Sequence, residues 1–198
     1  MVNTAEDQSV LVFGATGGIG QILVRHFVGR NQQITAVSRS APGSLLAPTG
    51  AERLLCLQAD IGDASQVAAM FAEHERQWGS SPAIVVNAAA LQEPIGDFWQ
   101  VDPAAWEKTV AVNLSGSFLV LAEATRRMQS RATGSILLFS GGGAVYSRPG
   151  FSAYAASKAG LLRLVENAAD ELAAAGLAGI RVFAVAPGAV RSRMTEQV

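Results

Sequence analysis

Six short, continuous apolar runs alternate along this sequence with segments whose apolar residues recur at helical spacing. That alternation limits the fold more than any other feature. The runs are Val10–Phe13, Ile34–Val37, Leu54–Leu57, Ile84–Val86, Ile136–Phe139 and Val182–Val185. Each is short and lacks polar alternation, which suits a strand buried on both faces of a parallel sheet. Between the runs lie four stripes at i, i+3, i+4, i+7 spacing. They are Ile19, Ile22, Leu23, His26 and Phe27; Val67, Met70, Phe71, His74 and Trp78; Trp106, Val110, Asn113, Leu114, Ser117, Phe118 and Leu121; and Leu161, Leu164, Val165, Ala168 and Leu172. Asp102-Pro103 reads as an N-cap followed by a first helical residue, and Gly79, Gly134 and Gly176 read as helix stops. Ser40–Arg53, rich in Pro, Gly and Ala, reads as loop. Right-handed β-α-β crossovers then give a doubly wound α/β sheet with helices on both faces.

The chain has 198 residues, 49% hydrophobic and 16% charged, with net charge −1. That composition excludes disorder. It also opposes sequence-independent nucleic-acid binding, which needs a basic surface. Arg126, Arg127 and Arg131, and Arg191 and Arg193, read as solvated faces. No apolar run reaches the ~18 residues of a membrane span. Residues 1–8 lack the basic and apolar regions of a signal peptide. A cytoplasmic protein is expected, with no nucleic-acid or membrane partner. The single cysteine, Cys56, lies in an apolar run and is expected in the core. His26 and His74 are expected to pack or bound their helices, and no metal-ligand spacing occurs.

The first run leads into Phe13-Gly14-Ala15-Thr16-Gly17-Gly18-Ile19-Gly20 and then a helical stripe. Strand, glycine turn and helix together point to a Rossmann-like dinucleotide site, with an ordinary β-α turn as the other reading. The glycines allow a tight turn and close approach of a pyrophosphate, and the helix N-terminus holds the anion. No Lys-Ser or Lys-Thr follows, which excludes a Walker-type loop. The second run ends at Ser38-Arg39, where NAD-binding chains carry an acidic residue for the ribose 2′-hydroxyl. Ser38 and Arg39 can instead hold a 2′-phosphate, so NADP(H) is favoured over NAD(H).

Tyr154-Ala155-Ala156-Ser157-Lys158 places Tyr and Lys four apart, on one helix face. There the sequence resembles the compact short-chain dehydrogenase/reductase family. Further matches follow the same order. Asp60-Ile61 is similar to the family's adenine-contacting segment. Asn87-Ala88-Ala89 is similar to its segment after the fourth strand, and Asn113 to its mid-helix Asn. Pro187, Gly188, Val190 and Ser192 are similar to its nicotinamide-closing segment, with Ser192 where Thr is usual. The resemblance implies hydride transfer between a nicotinamide and a carbonyl or secondary alcohol. Tyr154 is then the acid/base, with its pKa lowered by Lys158. Lys158 also bonds the nicotinamide ribose, and Asn113 holds a water joining Lys158 to solvent. It implies cofactor contacts from Gly14, Thr16, Gly17, Gly18, Ile19, Gly20, Ser38, Arg39, Asp60, Ile61, Asn87, Ala88, Ala89, Tyr154, Lys158, Pro187, Gly188, Val190 and Ser192.

Two departures stand out. The family's substrate-binding serine, thirteen residues before the tyrosine, is here Gly141. Ser140 is adjacent, but side chains alternate along a strand. It can serve only if the glycine run re-aims the chain; a backbone N–H of the run is the other donor. Family members also continue past the Pro-Gly segment with a substrate lid, a helix and a seventh strand, parts that often build a homo-oligomer. Residues 1–198 are thus expected to form one dinucleotide-binding domain without them, leaving 181–186 as an exposed apolar edge. The loops 92–99 and 144–151 are expected to line the substrate pocket through Phe98, Trp99, Tyr146 and Phe151. Besides an active reductase, two readings remain: a catalytically weak NADP-binding sensor or interaction module, and a fragment of a longer reductase.

Overall fold

In a computed structural model, residues 9–40, 51–188 and 190 are described. They form six parallel strands: β1 Val10–Phe13, β2 Ile34–Ser38, β3 Leu54–Gln58, β4 Ile84–Asn87, β5 Gly134–Phe139 and β6 Ile180–Val185. Their order across the sheet is β3-β2-β1-β4-β5-β6. The order reverses direction between β1 and β4, which opens a crevice at the carboxyl ends of those strands. Helices α1 (Gly18–Val28), α2 (Ala64–Trp78), α3 (Pro103–Val110), α4 (Ser117–Met128) and α5 (Ser152–Ala174) connect them. A six-residue π-helical turn, Ala111–Gly116, joins α3 to α4.

The apolar strands are buried on both faces, as their unbroken hydrophobicity requires. Leu11, Phe13, Val85, Ile136 and Leu138 pack against α2, α4 and α5. Val10, Val12, Ala36 and Val86 pack on the other face against α1. Asp63 caps α2 by accepting from the backbone N–H groups of Ser65 and Gln66. These bonds to the charged form hold its carboxyl down at about 2. Asp102 caps α3 in the same way, with Pro103 in the first turn. No helix among the described residues is long and apolar enough to cross a membrane.

Several sequence expectations change. Cys56 is exposed, because β3 is the last strand of its side of the sheet. Residues 51–53 form a 3-10 turn within the expected loop; 41–50 lie outside the described residues. On α1 the buried positions are Gly20 and Val24, with Leu23, Phe27 and Val28 packed beside them; Ile22 is 59% exposed and His26 exposed. Close packing of Gly20 on the β1 turn sets that rotation. Phe118 is 51% exposed, because the π turn shifts the helix phase ahead of it. Gly134 opens β5 rather than stopping a helix; Ala132, at φ 50°, takes the left-handed stop. On β6, Phe183 and Val185 are 45% and 39% exposed, an uncovered apolar surface at the strand expected to be an edge.

His74 is fully buried. Its Nδ1 lies 2.8 Å from Thr35 Oγ1 and its Nε2 3.0 Å from Ser9 Oγ. Trp78 Nε1 donates to Thr35 Oγ1 at 3.0 Å, which leaves the Thr35 hydrogen for Nδ1. A neutral ring satisfies both contacts, and burial, aided by the Arg131 charge, pushes the imidazole down to about 4. The unfolded chain therefore takes up a proton between about 6.5 and 4 that the folded chain refuses. Stability is full above pH ~6.5 and falls by about 3 kcal/mol as pH drops toward 4. Denaturant midpoints across that range are expected to show this slope in the parent chain and to lose most of it in His74→Gln. An unchanged slope in the variant would assign the acid sensitivity elsewhere.

Candidate functional site

The chain's glycine turn sits at the carboxyl end of β1. Gly14 has φ +74°, and a Cβ there would lie 2.6 Å from the Ala88 carbonyl carbon. A Cβ on Gly20 would overlap the Gly14 carbonyl and lie 2.9 Å from Ala15 Cα. These two glycines are thus required by strand, turn and helix approaching one another. Thr16, Gly17, Gly18 and Ile19 then line a cavity of about 840 Å³ along the carboxyl ends of the strands.

One end of the cavity is walled by Ser38, Arg39, Asp60 and Ile61. Ser38 is buried and donates to the Ser40 carbonyl at 2.6 Å, so its hydroxyl hydrogen is engaged. Arg39 is exposed and brings a positive charge to this end. Asp60 Oδ1 accepts from Gly62 N–H at 2.9 Å. Ala88 and Ala89 form the middle wall. Asn87 does not line the cavity; it is buried, its Oδ1 accepts from Ala89 N–H, and its Nδ2 donates to Ser117 Oγ. It shapes the wall rather than facing the space.

The other end holds Tyr154, Lys158, Ser140, Pro187, Gly188 and Val190. Ser192 lies outside the described residues. Tyr154 and Lys158 share the inward face of the first turns of α5, 7% and 3% exposed. Lys158 Nζ donates to the Phe139 carbonyl at 2.6 Å, and burial pushes its ammonium down to about 8. Burial also raises the Tyr154 phenol, opposed by the Arg148 charge. The Lys158 ammonium reaches the end of β5, and Lys158 Nζ and the Arg148 guanidinium carbon lie 5.7 and 5.6 Å from the centroid of the Tyr154 ring. Arg148 also stacks over Phe151, its guanidinium carbon 3.9 Å from the ring centroid.

Asn113 is fully buried. Its Oδ1 accepts from Leu91 N–H, and its Nδ2 donates to the Leu91 carbonyl, both at 2.8 Å, and to Ser157 Oγ at 3.0 Å. Its side chain therefore clamps the loop after β4 to α5. The π turn that carries it fits this role, since such turns commonly accompany functional positions. Its carbonyl accepts from Ser117 Oγ at 2.7 Å.

The glycine run is explained by its neighbours. A Cβ on Gly141 would overlap the Tyr154 hydroxyl, and one on Gly142 would lie 2.8 Å from the Tyr146 hydroxyl. A Cβ on Gly143, at φ +92°, would sit 3.1 Å from Arg148 Cβ. Position 141 thus has the side-chain direction that faces Tyr154. Ser140 lines the cavity with a buried Oγ that has no hydrogen-bond partner among the described residues. Tyr146 lines the cavity as expected, and Phe151 is buried beneath Arg148. Phe98 and Trp99 line a smaller cleft beside it. Arg148 and Gln92 also line the main cavity. Neither follows from a motif; the one signal in the sequence is a charged residue inside the 144–151 loop.

A doubly wound sheet with a glycine turn at its switch point and a Tyr/Lys pair on the helix after β5 defines a dinucleotide-dependent oxidoreductase fold. The sequence matches the short chain dehydrogenase family over residues 8–198. The chain belongs to that family of oxidoreductases, which use nicotinamide cofactors. It is 31% identical over 194 residues to the 3-oxoacyl-(acyl-carrier-protein) reductase FabG of Staphylococcus aureus, covering 96% of this chain and 77% of the relative. It is 34% identical to galactitol 2-dehydrogenase (L-tagatose-forming) of Cereibacter sphaeroides, covering 93% of this chain and 72% of the relative. The crystal structure of levodione reductase superposes with a TM-score of 0.88 at 26% identity, covering 96% of this chain and 75% of that one.

Proposed function

We propose that the chain reduces a carbonyl compound, or oxidises the matching secondary alcohol, with NADP(H) as the partner. One observation carries this reading. A single cavity has Tyr154 and Lys158 at one end and Arg39, with no acidic residue beside it on β2, at the other.

The residues present fit the cofactor. Gly14, required by its close approach to Ala88, shapes the phosphate-sized turn, and the start of α1 offers N–H groups and a positive dipole end. Arg39 would hold a 2′-phosphate through its charged fork. Ile61 and Asp60 would flank the adenine. Lys158 would hold the ribose beside the nicotinamide, and Pro187, Gly188 and Val190 would close over that ring. When bound, the reduced cofactor supplies the hydride.

Tyr154 gives the proton to the carbonyl oxygen. Its burial keeps the phenol protonated at neutral pH, which suits the reductive direction. Asn113 fixes α5 against the loop after β4 and so keeps Tyr154 and Lys158 in register with the cavity wall. Homologous reductases named for acyl-carrier and sugar substrates support small carbonyl or alcohol substrates.

The test is consumption of NADPH with ethyl acetoacetate and cyclohexanone, read by loss of the reduced nicotinamide's absorbance. Turnover of at least one ketone is expected. Binding of NADPH without turnover favours the second reading, a dinucleotide-binding module weakened by Gly141. For the cofactor, Arg39→Ala is expected to weaken NADPH binding roughly 10- to 100-fold, the scale of a charge-assisted hydrogen bond. NADH binding should barely change. Fluorescence titration of both nucleotides measures this, and equal losses for the two would remove Arg39 from phosphate recognition.

A further inference from the structure

Gly141 leaves the site without a serine hydroxyl opposite Tyr154, and a reductase of this kind needs a second donor on the substrate oxygen. We propose that Tyr146 is that donor: its phenol hydrogen-bonds the carbonyl oxygen that Tyr154 protonates. The proposal rests on the reductase reading above.

Three observations converge on Tyr146. Its hydroxyl sits against Gly142, the position next to the one that receives the Tyr154 hydroxyl. Two phenols are thus seated on consecutive residues of one glycine run, and both line the main cavity. Tyr146 is 64% exposed and Tyr154 7%, so Tyr146 stands on the open side from which a substrate enters. A phenol is also a stronger hydrogen-bond donor than an aliphatic hydroxyl, because it is the stronger acid.

In the reduction the carbonyl carbon accepts the hydride and the C=O π pair moves onto oxygen. That oxygen takes the Tyr154 proton, while Tyr146 keeps its own and stabilises the developing negative charge. Loss of one such donor typically lowers the rate 10²–10³-fold.

The chain contains only two tyrosines, so phenolate absorbance reports Tyr146 and Tyr154 alone. Donors that share one oxygen lie within about 5.5 Å of each other, twice a hydrogen-bond length. At that distance their ionisations couple. The titration of the parent chain is expected to differ from the sum of Tyr146→Phe and Tyr154→Phe, with a later second step. A parent curve equal to that sum overturns the proposal. In turnover with ethyl acetoacetate, cyclohexanone and NADPH, Tyr146→Phe is expected to lower kcat/KM roughly 10²-fold or more, with NADPH affinity unchanged. Full activity in Tyr146→Phe, beside loss in Tyr154→Phe, overturns Tyr146 and leaves the reductase reading standing. A parent chain that reduces neither ketone overturns that reading and the proposal with it.

Discussion

Tyr154→Phe is expected to bind NADPH as tightly as the parent chain and to reduce ketones roughly 10³-fold more slowly, or not measurably. The substitution removes one oxygen and keeps the ring that packs at the start of α5. Cofactor affinity and unfolding midpoint therefore serve as controls that the site is intact. The pH dependence has a definite sign. Burial raises the phenol above its ordinary value of ~10, so ketone reduction should hold its rate through neutral pH. It should fall only as the phenol ionises. Alcohol oxidation needs the phenolate and should climb over the same alkaline range. Rate profiles in both directions measure this. Full reductive turnover in Tyr154→Phe would remove Tyr154 from the chemistry.

Gly14→Ala is expected to be the most damaging single change outside the Tyr/Lys pair. The residue combines φ +74° with a Cβ direction that points 2.6 Å from the Ala88 carbonyl carbon and 2.7 Å from Ala89 Cα. Both obstacles are backbone, so neither can swing aside. The β1 turn or the β4 loop must move, and each walls the cavity. A loss of about 2–4 kcal/mol in stability is expected, from left-handed strain plus overpacking. NADPH affinity should fall at least 100-fold, because the turn no longer presents its N–H groups in place. Denaturant unfolding and nucleotide titration test the two effects separately. A variant that binds NADPH normally would show that the turn tolerates displacement. Gly79→Ala is a useful contrast. Gly79 also has positive φ, but no atom lies within 4 Å of its Cβ direction, so only the left-handed strain remains.

The sheet was legible because its strands are buried on both faces. Val10–Phe13 could be read without knowing any neighbour, since no exposed position interrupts it. Cys56 shows the limit. Its run is just as apolar, but burial depends on a strand's place in the sheet, and β3 lies on the outside. The helix stripes fail for a related reason. Ile22 and Phe118 fit the spacing, but the rotation of α1 is set by Gly20 against the β1 turn. The π turn before α4 inserts a phase shift that no regular period predicts. In the site, Tyr154, Lys158 and Arg39 were legible from their spacing, and the fold brings all three to the wall of one cavity. Asn113 was legible as an oddity in a helix, but not as the clamp on Leu91, which depends on a contact across 22 residues. Arg148 showed only as a charge in the 144–151 loop; its place over Phe151 and on the cavity wall follows from how that loop folds.

The run Gly141-Gly142-Gly143 reads in sequence as three absences, and in the fold those absences are matched by what lies against them. The hydroxyls of Tyr154 and Tyr146 and the Cβ of Arg148 lie where side chains on the three glycines would point. A serine placed at 141 alone would meet the Tyr154 hydroxyl before it could help any substrate. Residues 141, 142, 143, 146, 148 and 154 are expected to vary as one inherited unit, with strongly non-additive effects when they are exchanged singly.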